Sequence, residues 1–278
     1  MRPPLVEPAE PGVGVRAAGA AQRFRVLALG TSTDWCSVAL LVRDGANETC
    51  TDAAERAGND HSRRVLPMAL GLLRQAGLAL SDIDVLAFDA GPGSFTGLRI
   101  GCAVAQGLAF ALDIPVVPVP SLQALALQSG APFSLAVLDA RMHEVYAAPY
   151  RTRDGWPELL EPIQAMAAEQ AADVLLGWSR MYGSAGADAL PVDVSALGDA
   201  FTRHPLLATA LVAQGLSVDA LAWPGAHAIA RIAAHRYLLG QALDAADAAP
   251  LYVRDKVALD VDEQRRARAA RTGVAGMP

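Results

Sequence analysis

The chain has 278 residues, of which 53% are hydrophobic and 19% charged. That length carries a sizeable core in one large or two small domains, and that balance excludes a disordered chain. The net charge of −6 argues against a protein that grips nucleic acid unaided, which calls for a basic balance.

The first 23 residues are rich in Pro, Gly and Ala and carry Glu7 and Glu10. They lack a continuous apolar centre, which argues against a secretory signal, and they read as a mobile extension outside the fold. Arg25–Leu29 reads as a first strand, followed by the turn Gly30-Thr31-Ser32-Thr33-Asp34. Cys36–Arg43 reads as a second strand, Asp44-Gly45 is a hairpin signal, and a third strand falls within Asn47–Ala54. In Ser62–Ala76, Val65, Met68, Ala69, Leu72 and Leu73 recur at helical spacing, with Ser62 as N-cap and Gly77 as C′ residue. Pro67 removes one helix hydrogen bond, so it predicts a kink or a later helix start.

Ser81–Asp84 turns into the apolar strand Val85–Phe88, which meets Ala90–Gly101, A-G-P-G-S-F-T-G-L-R-I-G. A helix follows over Leu98–Leu112. A strand, a Gly-rich turn and a helix start gather backbone N–H groups and the helix macrodipole around one point, which suits an anion such as a phosphate. The hydroxyls of Thr31 and Ser32 and the loop residues Gly91, Gly93 and Ser94 are the candidate phosphate contacts. The plainer alternative is a turn that only links strand to helix. No Gly-Lys-Ser/Thr follows and no Gly-x-Gly-x-x-Gly is present, so this is neither a P-loop nor a dinucleotide fingerprint. Small residues recur at Gly97, Gly101, Ala105 and Ala109, a stripe that suits either tight packing on the chain's own sheet or a partner helix.

Ile114–Val119 reads as a strand and Ser121–Gln128 as a helix capped by Ser121. Ser134–Leu138 and Glu144–Tyr150 read as strands around Asp139-Ala140-Arg141-Met142-His143, opening a second lobe near residue 125. Ala167–Val174 reads as helix, Leu175–Trp178 as strand, and Met181–Ala222 gives weak signals. Ala226–Leu243 reads as a long helix and Leu251–Leu259 as extended. Glu263–Arg271 holds four arginines, which favours a solvated tail over a specific RNA contact.

The three cysteines, Cys36, Cys50 and Cys102, are odd in number and form no C-x-x-C, which fits free thiols in a reducing cytoplasm. No run of eighteen apolar residues occurs, so no membrane span is predicted. His61 has Val65 and not a second histidine four residues on, so it reads as a helix-start hydrogen bonder and no metal site is predicted. Asp139 and Glu144 flank a turn as candidate acid and base, or as partners of Arg141. Ser32 and Ser94 lie outside any Gly-x-Ser-x-Gly elbow, and no nucleophile, base and orienter assemble.

R-V-L-A-L-G-T-S-T, H-S-R-R-V-L-P, A-G-P-G-S-F-T-G-L-R-I-G, A-Q-G-L-A, D-A-R-M-H-E-V-Y and P-L-Y-V-R occur in this order between Arg25 and Leu259. Together they closely resemble the TsaB (YeaZ) family of bacterial proteins. The resemblance implies an α/β, two-lobed fold of the actin, Hsp70 and sugar-kinase type, each lobe a mixed β-sheet flanked by helices. The lobes are expected at 24–124 and 125–260, with the 226–244 helix between them, an extension over 1–23 and a charged tail over 261–278.

The resemblance also implies a non-catalytic partner of a TsaD-like catalytic subunit. With a TsaE-like ATPase, the pair sustains transfer of a threonylcarbamoyl group onto the adenosine just 3′ of the anticodon. No cofactor is then held by this chain alone, ATP or ADP acts at the level of the complex, tRNA is reached only through the complex, and the location is cytoplasmic. The catalytic relative carries a histidine pair on its first long helix, where this chain offers only His61. Many family members carry Asp where this chain has Gly30, a departure that speaks against nucleotide binding by this lobe. The family pairs through its first two helices, and the transferred contact face is Val65, Met68, Leu72, Arg99, Cys102 and Gln106. The same face implies a homodimer when the partner is absent. The competing readings are an ATP-dependent small-molecule kinase or ATPase of the same fold, which lacks its acid at Gly30, and a homologue of the M22 glycoproteases.

Overall fold

The computed structural model describes residues 23–183 and 194–253. The chain opens with an antiparallel meander of β1 (Phe24–Gly30), β2 (Trp35–Asp44) and β3 (Asn47–Arg56). α1 (His61–Gln75) leads to β4 (Val85–Gly91), α2 (Phe95–Leu112) and β5 (Val116–Pro120), and β4 and β5 join β1 in parallel. The first sheet therefore runs β3-β2-β1-β4-β5. α3 (Ser121–Ser129) carries the chain to a second sheet.

There β6 (Phe133–Asp139), β7 (Glu144–Arg153), β8 (Trp156–Leu159) and β9 (Gln164–Ala167) pair antiparallel, with β8 and β9 sharing one edge of β7. α4 (Ala168–Tyr182) precedes β10 (Val194–Leu197), α5 (Ala200–Arg203), α6 (Pro205–Ala213) and β11 (Ser217–Asp219). β10 and β11 extend β6 in parallel, giving the order β11-β10-β6-β7-β8. Both sheets thus repeat one plan: an antiparallel meander on one side of the first strand and two parallel strands on the other.

Each sheet buries both faces. Val65, Leu72 and Leu73 of α1 and Cys102 and Ala105 of α2 pack with Leu27, Leu29 and Phe88 on one face of the first sheet. α7 (Ala226–Leu238) covers the other with Ile229, Ile232 and Ala233 against Val26, Ala28 and Leu41. α4 and α6 cover one face of the second sheet through Leu175, Trp178 and Leu211. α3 covers the opposite face through Leu122 and Leu125, against Leu138 and Tyr150. α3 also packs on α7, so these two helices form the layer between the sheets. The expected lobe boundary at residue 125 falls inside α3.

Several sequence expectations move. α1 begins at His61 and runs through Pro67, and Asp60 takes the N-cap position without a side-chain cap bond. α2 begins at Phe95, earlier than Leu98, because the Ser94 hydroxyl caps Gly97 N. Ser121 is the first helical residue of α3, not its cap, and its hydroxyl is buried without a partner. Leu175–Trp178 is helix, not strand, because Ala171, Leu175, Trp178 and Ser179 share the buried face of α4. α7 stops at Leu238, short of the expected Leu243; Leu243 instead bridges Val116 at the edge of β5. Leu251–Val253 has no regular structure, and the rest of that expected extended segment and the arginine-rich run lie outside the described residues.

α2 is long and apolar enough to cross a membrane by length and composition alone, but Thr96, Arg99 and Gln106 interrupt it, so it is not the run of eighteen apolar residues whose absence was expected. It lies on the first sheet. Cys36, Cys50 and Cys102 are free thiols.

Candidate functional site

The turn after β1 and the start of α2 are built around one buried acid. β4 runs parallel to β1 with Phe88 beside Leu29, so the next residue, Asp89, faces the turn. Its carboxylate accepts from Thr31 N at 3.0 and 3.1 Å and from Ser32 N at 2.7 Å. Burial pushes Asp89 up to about 6, although the hydrogen bonds from the turn pull the other way.

The turn in turn holds α2. Ser94 N donates to Ser32 O at 2.7 Å, and the Thr31 hydroxyl donates to Gly97 O at 2.9 Å. This close approach explains the glycines. A Cβ on Gly97 would collide with Thr31 O, one on Gly93 would lie 2.5 Å from Ser32 O, and one on Gly101 would lie 2.5 Å from the Thr31 hydroxyl.

The phosphate cradle expected here is therefore corrected at several positions. Thr31 is buried, with its amide on Asp89 and its hydroxyl on Gly97. Gly91, at φ +117°, faces Leu251 O, which a Cβ would meet at 2.8 Å. Gly93 packs on the turn. The amides of Thr31 and Ser32 are filled by the chain's own carboxylate, and Ser94 N by Ser32 O. Ser32, Gly93 and Ser94 do line the cleft, and Ser32 is only 3% exposed, its side chain acting on Asp89.

The cleft between the lobes encloses about 290 Å³ and is lined among others by Ser32, Asp34, Ser94, Arg141, Asp199 and Tyr252. Its acids are held. Asp34, on the first lobe, meets Arg203 at 3.0 Å and Arg141 at 3.6 Å from the second, and Arg56 at 3.4 Å. Asp139 pairs with Arg141 at 3.6 Å and lies 3.5 Å from His204 Nε2. That is the pairing alternative for Asp139. Asp199 accepts from Asp139 N at 3.0 Å, and burial pushes it up to about 6.

Arg141, Met142 and His143 take successive left-handed conformations, with φ of 61, 54 and 62°. This aims the hairpin tip at the cleft. Among the described residues no group of three or more His, Cys, Asp or Glu side chains converges to hold a metal. His61 is 3% exposed, and its Nε2 lies 3.2 Å from Trp35 O. Gly30 leaves room for Ser37, whose hydroxyl accepts from Ala226 N at 3.1 Å and anchors the start of α7; a Cβ at Gly30 would collide with that hydroxyl.

The expected partner face needs a larger correction. Val65, Leu72 and Cys102 are buried in the lobe's own core and present nothing outward. Gln106 donates to Ala245 O at 3.1 Å and Ala248 O at 2.9 Å, and the Cys102 thiol lies 3.6 Å from Ala248 O. Both clasp a C-terminal strap that crosses α2. Arg99 is exposed, stacks 3.8 Å over the Phe95 ring and donates to the Tyr252 hydroxyl at 3.2 Å. Met68 is half-buried at the edge of α1.

The small stripe Gly97, Gly101, Ala105 and Ala109 is buried in the lobe, so it serves the chain's own packing. A second small stripe, Ala103, Gly107 and Ala111, points outward beside Phe110, which is 76% exposed. No charged residue falls between Ile100 and Leu112. The spacing of this second stripe was readable in the sequence; which stripe faces out was not.

Two sheets of one repeated order, helices layered between them and a cleft between the lobes define the two-lobed fold of the actin, Hsp70 and sugar-kinase type. Residues 53–259 match the family model described as TsaD, tRNA N6-adenosine threonylcarbamoyltransferase. The chain is 47% identical over 129 residues to the tRNA threonylcarbamoyladenosine biosynthesis protein TsaB of Haemophilus influenzae, covering 45% of this chain and 53% of that protein. It is 44% identical over 132 residues to the Escherichia coli TsaB, covering 46% and 55%. The chain thus spans about half the length of the curated relatives it matches. A solved Pseudomonas aeruginosa protein described as similar to peptidase YeaZ superposes with a TM-score of 0.68 at 33% identity, over 83% of this chain and 100% of that one. YeaZ from Pseudomonas aeruginosa gives 0.64 at 32% over the same shares. The chain belongs to the TsaB (YeaZ) family.

Proposed function

We propose that this chain is the non-catalytic scaffold subunit of a tRNA N6-adenosine threonylcarbamoyltransferase complex in the cytoplasm. Its partners are a TsaD-like catalytic subunit and a TsaE-like ATPase. The observation that carries this reading is the outward face of α2. It is uncharged, small at Ala103, Gly107 and Ala111, and bare at Phe110. Small residues let a second helix approach closely, and an exposed apolar face of this kind gains from being covered. The docking face is Ile100, Ala103, Gly107, Phe110 and Ala111, joined by Met68 at the α1 edge and bounded by Arg99.

With the catalytic subunit absent, the same face pairs two copies of this chain. The net charge of −6 fits tRNA contact made through the partner. ATP or ADP belongs to the assembled complex, since Asp89 fills the backbone donors beside Ser32. A peptidase reading has one structural neighbour's description behind it. Ser94 is committed to its helix cap, and neither it nor Ser32 hydrogen-bonds a histidine.

The test is mass spectrometry of tRNA nucleosides after depletion of the protein. N6-threonylcarbamoyladenosine falls if the reading is right, and an unchanged level refutes it.

A further inference from the structure

We infer that Asp89 is a positioning residue: its carboxylate fixes the Thr31–Ser32 turn and, through that turn, the seat of α2. The consequence for docking rests on the function proposed above; the seating of the helix does not.

The path is short and made of buried contacts. Asp89 is 0% exposed and takes the amides of Thr31 and Ser32. Ser32 O and the Thr31 hydroxyl then bond Ser94 N and Gly97 O, on the cap and first turn of α2. The glycines at 93, 97 and 101 allow no slack at this contact, because backbone or hydroxyl oxygens of the turn lie where their Cβ atoms would be. A turn that swings away from β4 therefore carries the start of α2 with it. A rigid helix transmits that tilt along its axis to Ala103, Gly107 and Phe110. A buried carboxylate is a costly way to satisfy two amides unless their position is what matters. The strap depends on the same seat, since Gln106 and Arg99 of α2 hold Ala248 and Tyr252.

The charged surroundings of Asp89 are few. The Cys36 thiol on β2 feels Asp89 and Glu55 electrostatically, and burial is the main reason it is pushed up to about 12. The thiol is therefore neutral at working pH. Asp34, at the end of the turn, is paired with Arg203 and Arg141 across the cleft, and what the turn gives Asp89 is the amides of Thr31 and Ser32. Asp199 of the other lobe titrates in the same range and serves as the control.

The experiment uses the full chain, alone and with its TsaD-like partner. Amide hydrogen exchange is measured at Thr31 and Ser32, which donate to Asp89, and at Phe95–Leu98 in the wild type, Asp89→Asn, Asp89→Ala and Asp199→Asn. Losing hydrogen bonds to a charged group should speed exchange at those amides about tenfold or more in Asp89→Ala. A smaller rise is expected in Asp89→Asn, which keeps one acceptor oxygen, and none in Asp199→Asn. Partner affinity should fall in both Asp89 variants. Its change with pH near 6 should vanish in Asp89→Asn and persist in Asp199→Asn.

Unchanged exchange at Phe95–Leu98 in Asp89→Ala overturns the positioning role. Faster exchange with unchanged partner affinity keeps the seating and overturns the docking reading. If Asp89→Ala does not fold, Asp89→Asn carries the same comparison, and wild-type exchange in it overturns the inference.

Discussion

Gly97 and Gly107 lie on the same helix and answer to opposite constraints. A Cβ at Gly97 would collide with Thr31 O, a backbone atom that cannot yield, whereas nothing lies within 4 Å of one at Gly107. Gly97→Ala should therefore destabilise the isolated chain by about 1–3 kcal/mol. Gly107→Ala should stabilise it by about 0.8–1 kcal/mol through helix propensity alone. Urea denaturation of the two variants checks both signs. Asp89 and Asp199 set a second expectation. Each is raised from 3.8 to about 6 in the folded chain, so the native state binds more protons than the unfolded chain in between. Their contribution is fully present below the unfolded value and is lost as pH rises from about 4 through 6. Denaturation midpoints taken at pH 4.5, 5.5 and 7, values chosen to bracket that window, should fall with rising pH. The double variant Asp89→Asn/Asp199→Asn should flatten the slope.

α2 presents three faces: one to its own sheet, one to the strap and one to solvent. A charge placed on the solvent face costs the isolated chain little and opposes any apolar partner. Ala103→Arg should leave the urea midpoint near that of the wild type and weaken association by tenfold or more, as burying an unpaired charge requires. A pull-down with the catalytic subunit, or sedimentation of the isolated chain, reads the effect. Gln106→Leu should do the reverse. It removes the bonds to Ala245 and Ala248, costs about 1 kcal/mol of stability and leaves association intact. Gln106 and Cys102 have the residue types and spacing of a docking face. Local sequence places them on one, because nothing in it announces that a segment about 140 residues later covers them.

Between the lobes, Asp34 is the meeting point. Arg203 and Arg141 reach it from the far side of the cleft, next to Trp35 stacked on Trp223 with ring centroids 4.9 Å apart. Such partly exposed pairs contribute little to global stability, about 1 kcal/mol or less, but they set how closely the lobes stand. Asp34→Asn should change the denaturation midpoint only slightly while altering the near-ultraviolet circular dichroism of the tryptophan stack. Raising salt to about 1 M, where screening acts within about 3 Å, should move the wild-type spectrum toward that of the variant.

Alternation and helical spacing suffice to place the meander Phe24–Arg56, the apolar strand before the Gly-rich turn and most of the helices. These patterns record which side of an element is dry, and that is a local property. The order of the quoted motifs was enough to name the family. What local pattern does not hold is partnership across the fold. The glycines of Ala90–Gly101 signal close approach without saying to what; only the fold brings Thr31, Ser32 and Leu251 against them instead of a phosphate. Asp89 gave no signal in an apolar strand, because its role arises from the parallel register that sets it beside the turn after β1. α2 carries two small-residue stripes that the sequence cannot rank. Tertiary packing ranks them by burying the one that meets the Asp89-held turn and leaving Ala103, Gly107 and Ala111 to solvent.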